Sequence, residues 1–285
     1  MSINGVVLVN KPTGMSSNSL VKRVGHALGC KKVGHLGTLD PMGCGLLPVL
    51  CGKATRLFDT ISDKTKTYRA VFKFGIETDT LDSEGKITNK IDCDIKKEEI
   101  EKVLDALTGE IDQMPPQFSA KKVNGKKAYD LARSGEVVEL KPKKVKISKL
   151  ECVKQICKNT FLFEIVCSEG TYVRSICRDL SKLLSTCGVM CAICRTRCGA
   201  MQIKNATIID EVDCSNLIEA HELIDLKQVA LSAKFKEHLL NGKIIPSYVV
   251  GKIDGDFKLF CDNEFWGVAR IEGDKVKIVR NFYGG

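Results

Sequence analysis

One carboxylate in this chain stands out by its company. Asp40 lies in the stretch Gly34-His35-Leu36-Gly37-Thr38-Leu39-Asp40-Pro41, which runs on to Gly45-Leu46-Leu47-Pro48. Glycines, prolines and apolar residues surround it, and His35 precedes it by five positions. Burying a carboxylate in such a loop is costly unless something compensates it. The local sequence supplies no cation, so the partner must come from elsewhere in the chain. An isolated Asp-Pro is ordinarily a turn in which the Asp side chain bonds its own backbone. The surrounding glycines make Asp40 a candidate reactive group instead.

The rest of the composition narrows the setting. A chain of 285 residues buries a full core and has room for one large domain and one small one. No apolar run approaches the length of a membrane span. Met1-Ser2-Ile3-Asn4-Gly5 lacks the basic and long apolar regions of a signal peptide, and strand-like sequence begins at Val6. A cytoplasmic protein without membrane association is expected. Lys and Arg number 44 against 35 Asp and Glu, a net charge of +9 that favours a polyanionic partner. No Gly-rich phosphate loop or dinucleotide fingerprint is present. The 14 cysteines should stay reduced in a cytosolic chain. Cys191 and Cys194 form a C-x-x-C, but no second such pair exists for a structural zinc. The spacing of Cys187, Cys191, Cys194 and Cys198 reads as the buried face of a helix. No metal is expected.

The elements that must position Asp40 follow from local pattern. Val6 to Val9 is an apolar run entering a turn at Asn10-Lys11-Pro12, hence a buried strand. Ser16 or Ser17 caps a helix carrying Leu20, Val21, Val24, Ala27 and Leu28, stopped at Gly29. Tyr68 to Phe74 alternates as a strand. Asp94 can cap a helix with Ile100, Val103, Leu104 and Leu107 on one face. Residues 112–146 are basic and turn-rich. Leu162 to Val166 is a strand that turns at Glu169-Gly170 into Thr171-Tyr172-Val173-Arg174 and a helix through Leu184. Mixed strands and helices without a βαβ period indicate an α+β fold. From about Leu231 short strands alternate with turns. Phe265, Gly267, Ala269 and Ile271 lie on one face, and Trp266, Val268 and Arg270 on the other. That pattern suggests a small β-barrel, with a boundary near residue 230.

These residues carry a family resemblance. GHLGTLDPMGCGLLP closely resembles the catalytic motif of the bacterial tRNA pseudouridine-55 synthases, the TruB family. VNKPTGMSS at Val9–Ser17 resembles its lysine-proline motif, and Lys66-Thr67-Tyr68-Arg69-Ala70 its tyrosine-bearing strand. MPPQFSAKKVNGKKAYDLAR at Met114–Arg133 is similar to the family's RNA-gripping arm, and EGTYVRSICRDL at Glu169–Leu180 to its second catalytic segment. The five matches keep their order over most of the first 200 residues.

The resemblance implies a mixed, largely antiparallel sheet with flanking helices, the pseudouridine synthase fold, over residues 1–230. It implies a PUA-like RNA-binding barrel over 231–285. It implies conversion of a T-loop uridine of tRNA to pseudouridine by base flipping, with no cofactor, metal or protein partner. Asp40 is then the catalytic carboxylate and Arg174 its ion-pair partner. Tyr68 lies against the flipped base as a possible acid–base group. His35, Tyr172 and Ile193 contact the target nucleotide, with Cys194 as the alternative should the alignment slip by one. Cys191, Ala192 and Cys194 stand where the family has bulkier or polar residues. Lys121, Lys122, Lys126 and Lys127 of the arm, with Lys53, Arg56, Lys64 and Lys66, would meet RNA phosphates. Two rivals remain: an RNA-folding protein with an idle pocket, and a guide-RNA-dependent enzyme of the dyskerin type. The intact Asp40, Tyr68 and Arg174 set argues against the first. The first motif's start within ten residues of the N-terminus and the short final barrel argue against the second.

Overall fold

The apolar run at Val6 becomes strand β1 (Gly5–Lys11), in which Val6, Val7 and Val9 are fully buried. The computed structural model describes residues 3–118, 122–123, 126–127 and 140–283. Helix α1 (Ser17–Ala27) is capped by Ser16, whose side chain accepts from the Ser19 N–H. Its Leu20, Val21 and Val24 pack on Val7 and Val9 of β1 and on Leu47 and Val49 of β3 (Cys44–Cys51), with β2 (Val33–His35) paired alongside β3. Each fully buried aliphatic side chain there contributes roughly 1.5–3 kcal/mol.

Strand β4 (Lys66–Phe74) begins the second half of the sheet, and the small hairpin β5 (Ile76–Thr78) and β6 (Ile87–Lys90) follows it. Next come α2 (Lys97–Glu101) and β7 (Gly109–Gln113). The basic segment contributes the short pair β8 (Lys122–Val123) and β9 (Lys126–Lys127). Strands β10 (Lys143–Cys157) and β11 (Thr160–Cys167), helix α3 (Val173–Leu183), β12 (Gly188–Cys198) and β13 (Met201–Gln202) complete this part. The order is β1-β3-β12-β4-β11-β10-β7, with β2 on β3 and β13 on β12. All pairings in this sheet are antiparallel except β3 with β12. Helix α3 buries Ile176, Cys177 and Leu180 against Phe72, Phe74, Phe161 and Phe163 of the central strands. The Phe72 and Phe163 rings lie 4.6 Å apart.

The parallel seam is short. Only Cys194 with Cys44 and Arg195 with Gly45 are in register across it. Gly45 holds φ +97, and a Cβ there would lie 2.4 Å from the Arg195 carbonyl oxygen. The chain closes the sheet by omitting a side chain.

Two local expectations are corrected. The segment that follows Cys187 is the strand β12 (Gly188–Cys198) and not a helix: nine register pairs with β4, and a bulge after Met190, override the three-and-four spacing. Cys187 and Cys198 are buried, whereas Cys191 and Cys194 are part-exposed. Asp94 does not cap a helix; it pairs with the Lys96 ammonium at 2.7 Å. Helix α2 starts after Lys96, whose N–H is accepted by Glu99, and a separate 3-10 turn holds Leu104–Leu107. The turn at Glu169-Gly170 leads into α3 as expected, with Tyr172 as its N-cap and Arg174 in its first turn.

The C-terminal part forms a five-stranded sheet in the order β14-β16-β17-β18-β15: β14 (Gln228–Leu231), β15 (Ile245–Pro246), β16 (Phe257–Cys261), β17 (Glu264–Glu272) and β18 (Lys275–Asn281). Helix α4 (Lys236–Leu240) precedes β15. The simple alternation expected for β17 fails. Trp266, Ala269 and Ile271 share one apolar cluster, while Phe265 and Val268 join Val6, Leu46 and Leu50 in another. A register shift between Val268 and Ala269 rotates the strand so that both faces are buried.

Gly45→Ala should lower stability by about 2–4 kcal/mol, through strain at positive φ and the clash with Arg195. Urea unfolding measures this; a change under 1 kcal/mol would show that the seam relaxes freely.

Candidate active site

The loop that presents Asp40 is held from both sides. Ser17, at the start of α1, donates its hydroxyl to the Leu39 carbonyl and accepts from the Leu39 N–H, both at 2.8 Å. The Gly14 N–H donates to the Pro41 carbonyl at 2.8 Å. The Lys11 ammonium is fully buried and donates to the carbonyls of Pro12, Met15 and Pro41. Burial pushes its pKa down, while the Cys44 thiol and the Asp40 carboxylate oppose that. The lysine-proline stretch thus acts as a clamp on the Asp40 loop.

The cation missing from the loop is Arg174. Its Nε stands 3.0 Å from an Asp40 carboxylate oxygen. Its Nη1 donates to the Thr80 carbonyl at 2.8 Å and lies 3.5 Å from Asp82, and its Nη2 donates to the Phe118 carbonyl at 3.1 Å. The guanidinium is buried, with 7% of its side chain exposed, whereas 38% of the Asp40 side chain faces the cleft. Burial pushes the Asp40 carboxyl above its ordinary value; the Arg174 charge opposes this and the Asp82 charge reinforces it. The Asp82 carboxylate is itself held by the Thr80 hydroxyl at 2.6 Å and the Glu84 N–H at 3.2 Å.

These groups open on a cleft of about 320 Å³ lined by Leu36–Asp40, Lys64, Lys66, Tyr68, Lys143, Tyr172, Arg174 and Ile193, among others. Tyr68 projects from β4 and is 6% exposed. Burial pushes its phenol up to about 12, opposed by the neighbouring Arg195. It stays protonated at neutral pH and offers a ring face and a hydrogen-bond donor. Ile193 forms part of the floor, and its neighbour Cys194 does not line the cleft. Gln113 holds Tyr172 by its backbone, accepting from its N–H at 2.8 Å and donating to its carbonyl at 3.2 Å.

Other expected residues lie differently. His35 is not among the lining residues; it immediately precedes Leu36 and is half-buried, and burial pushes its pKa down. Lys66 lines the cleft with its pKa lowered by burial, and Lys64 pairs with Glu169 at 3.6 Å. Lys53 and Arg56 are engaged elsewhere, donating to the carbonyls of Tyr283 and Asn281 at the end of β18. Lys121 lies outside the described residues, as do the side chains of Lys122, Lys126 and Lys127. Among the described residues no group of three or more His, Cys, Asp or Glu could hold a metal ion, and no helix is long and apolar enough to cross a membrane.

Sequence reasoning missed Asp82, Lys11 and Arg195. Arg195 is fully buried, and its guanidinium donates to the carbonyls of Leu46 at 2.8 Å and Gly37 at 3.0 Å, joining β12 to the Asp40 loop. Asp82 has a usable signal, since Asp79-Thr80-Leu81-Asp82-Ser83-Glu84-Gly85 concentrates acidic and turn residues. Nothing local ties that turn to Arg174.

The architecture has solved counterparts. A Cbf5–Nop10–Gar1 complex matches with TM-score 0.71 at 20% identity, over 98% of this chain and 85% of that one. The chain therefore has the pseudouridine synthase fold. It belongs to the TruB family: residues 25–173 match the N-terminal domain of the TruB family pseudouridylate synthases, which makes it an isomerase. It is 37% identical to a protein of Caldanaerobacter subterraneus subsp. tengcongensis over 99% of this chain and 100% of that one. It is likewise 37% identical to one of Aquifex aeolicus over 95% and 96%. Both relatives are named tRNA pseudouridine synthase B.

Arg174→Met leaves two carboxylates facing one another without their cation. It should cost about 3 kcal/mol at neutral pH. Asp40 is then more readily protonated in the folded chain than in the unfolded one, so the deficit should shrink as pH falls from 7 toward 5. Denaturant melts at both pH values test this; a deficit that grows on acidification would contradict the arrangement.

Proposed function

We propose that this protein isomerises uridine to pseudouridine in the T-loop of tRNA, at position 55, with Asp40 as the catalytic carboxylate. The observation that carries the reading is the Asp40–Arg174 pair at 3.0 Å, opening on a cleft that also presents Tyr68. Near-full-length similarity to proteins named tRNA pseudouridine synthase B supports tRNA as the substrate over a guide-RNA-dependent role.

The reaction breaks the N1–C1′ bond, turns the uracil within the pocket and joins C5 to C1′. The proton on C5 then leaves. No atom is gained or lost overall, so the chemistry calls for placement and charge. The C1′ centre is unreachable inside a stacked loop, so the nucleotide must swing out into the cleft. Asp40 acts ionised, as nucleophile or as base. Arg174 fixes the direction of its lone pairs and keeps it charged despite burial. The Tyr68 ring supplies a face for the flipped uracil, Ile193 an apolar floor, and Tyr172 a further contact to the nucleotide. Tyr68, protonated at neutral pH, donates a hydrogen bond to the base and takes up the C5 proton only through a relayed exchange.

RNA would be gripped by the basic segment between β7 and β10, with Lys122, Lys126 and Lys127 on phosphates and Lys64 and Lys66 at the cleft mouth. In this reading residues 1–230 form the catalytic unit. Residues 231–285 form a PUA-like RNA-binding unit, for which Lys53 and Arg56 serve as ties instead of phosphate contacts. The enzyme works in the cytoplasm and alone.

Purified protein incubated with an unmodified T-arm stem-loop, then mapped by carbodiimide primer extension, should yield pseudouridine at the target. Asp40→Asn should yield none; equal yields from the two proteins would sink the assignment. Arg174→Lys keeps the charge but loses the fork, and should turn over roughly ten- to a hundredfold more slowly. A single-turnover pH profile should lose activity on acidification with a midpoint above the ordinary aspartate value of 3.8, because burial raises Asp40. A midpoint below that value would remove Asp40 as the titrating group.

A further inference from the structure

The abundant cysteines play no part in the chemistry above, yet two of them meet where the sheet is narrowest. Cys44 and Cys194 are direct partners across the two-residue seam between β3 and β12. Partnered residues project from the same face of a sheet, and Ile193 and Arg195, one step away on β12, project from the other. The Cys44 thiol points at the Ile193 carbonyl at 3.6 Å, and the Cys194 sulfur lies over Gly45, 2.9 Å from where a Cβ would be. The two thiols are close enough for Cys44 to raise the pKa of Cys194, and both residues are part-exposed. Arg69, the partner of Cys194 on β4, stands beside them with 62% of its side chain exposed. Its charge opposes, without overcoming, the upward push of burial and Cys44 on the Cys194 thiol.

Neighbouring strands lie about 4.8 Å apart, within the roughly 4.4–6.8 Å that a disulfide spans between Cα atoms. The Cys30 and Cys51 thiols, also close to one another, are placed differently. Cys51, beside the part-exposed Cys30, is fully buried, and burial pushes its thiol up to about 12, so this pair presents one accessible sulfur and not two. We propose that Cys44 and Cys194 form a reversible oxidation site, in which a peroxide converts the thiol pair into a disulfide that staples β3 to β12.

The steps are ordinary thiol chemistry. The Cys44 thiolate attacks one oxygen of hydrogen peroxide; an S–O bond forms, the O–O bond breaks and hydroxide leaves. The Cys194 sulfur then attacks the resulting sulfenic acid; the S–S bond forms, the S–O bond breaks and a second hydroxide leaves. The two thiol protons complete two waters. Two sulfurs are oxidised and one peroxide is reduced. Burial pushes the Cys194 thiol up to about 11, which casts it as the resolving partner.

The staple lies behind the active site. Cys44 follows Asp40 by four residues, and Cys194 follows Ile193 of the cleft floor. Bonding draws the two sulfurs to about 2.05 Å apart, across a seam of two register pairs. Displacements of about 1 Å can cost a hundredfold in rate. Turnover should fall at least tenfold, with tRNA binding unchanged. That effect rests on the proposed function; the link itself does not.

The test uses the full chain, reduced, freed of reductant, exposed to hydrogen peroxide, alkylated, digested and mapped by mass spectrometry. A Cys44–Cys194 linked peptide should form at lower peroxide than any other linkage. Turnover should fall and return with dithiothreitol, and Cys44→Ser and Cys194→Ser should escape the loss. Absence of the linked peptide while other thiols oxidise would overturn the site. Formation of the peptide with unchanged turnover, or an equal loss in Cys44→Ser, would overturn the control of activity. A reduced enzyme that makes no pseudouridine counts against the proposed reaction, and the peptide map still decides the site.

Discussion

Arg174 is the interaction on which the site depends. Its one guanidinium answers two carboxylates and two backbone carbonyls drawn from three separate parts of the chain: Asp40 on its loop, Asp82 and Thr80 in the turn after β5, and Phe118 beyond β7. A planar fork can serve several acceptors in fixed directions where an ammonium cannot. Burying it would be costly alone, and burying Asp40 alone would be as bad; together they convert two liabilities into one oriented pair. The second carboxylate is less obviously helpful. Asp82 takes part of the arginine's charge and disfavours ionisation of Asp40, yet it locks the guanidinium against the turn so that the fork faces the cleft.

Around that pair the sheet is divided by function. The β1–β3 side, with α1 and the Lys11 clamp, holds the carboxylate. The β4–β12 side supplies Tyr68, Ile193 and, through α3, Arg174. Arg195 and Gly45 join the sides: the arginine reaches two carbonyls of the Asp40 side, and the glycine lets the strands touch. The C-terminal sheet rests on the first side, through Phe265, Val268 and Phe282 packed on Leu46 and Leu50.

Much of this was legible in the sequence, and unevenly. β1, α1, β4 and the start of α3 follow from apolar period and capping, because their signals are local and the structure agrees with them. Asp40 was legible as a carboxylate without company, and Arg174 only through family resemblance, since 134 residues of chain separate the two. Asp82 and Arg195 were missed because their roles exist only after strands meet. The cysteine segment misled for a related reason: three-and-four spacing is a helical signal in isolation, but nine register positions on β4 decide the matter. Lys53 and Arg56 read as exposed cations, and nothing local announces the carbonyls at the far end of β18 that receive them.

The basic segment leaves the sheet at Gln113 and returns at Lys143, and these two residues are register partners. The segment is therefore a hairpin tip as far as the fold is concerned, whatever its length. Closing a loop twice as long costs only about 0.6 kcal/mol, and the ladder between β7 and β10 does not sense the change. Its length and charge are free to change while Gln113, at its root, goes on holding Tyr172. The fold has separated a part whose length can vary from a part that must not move.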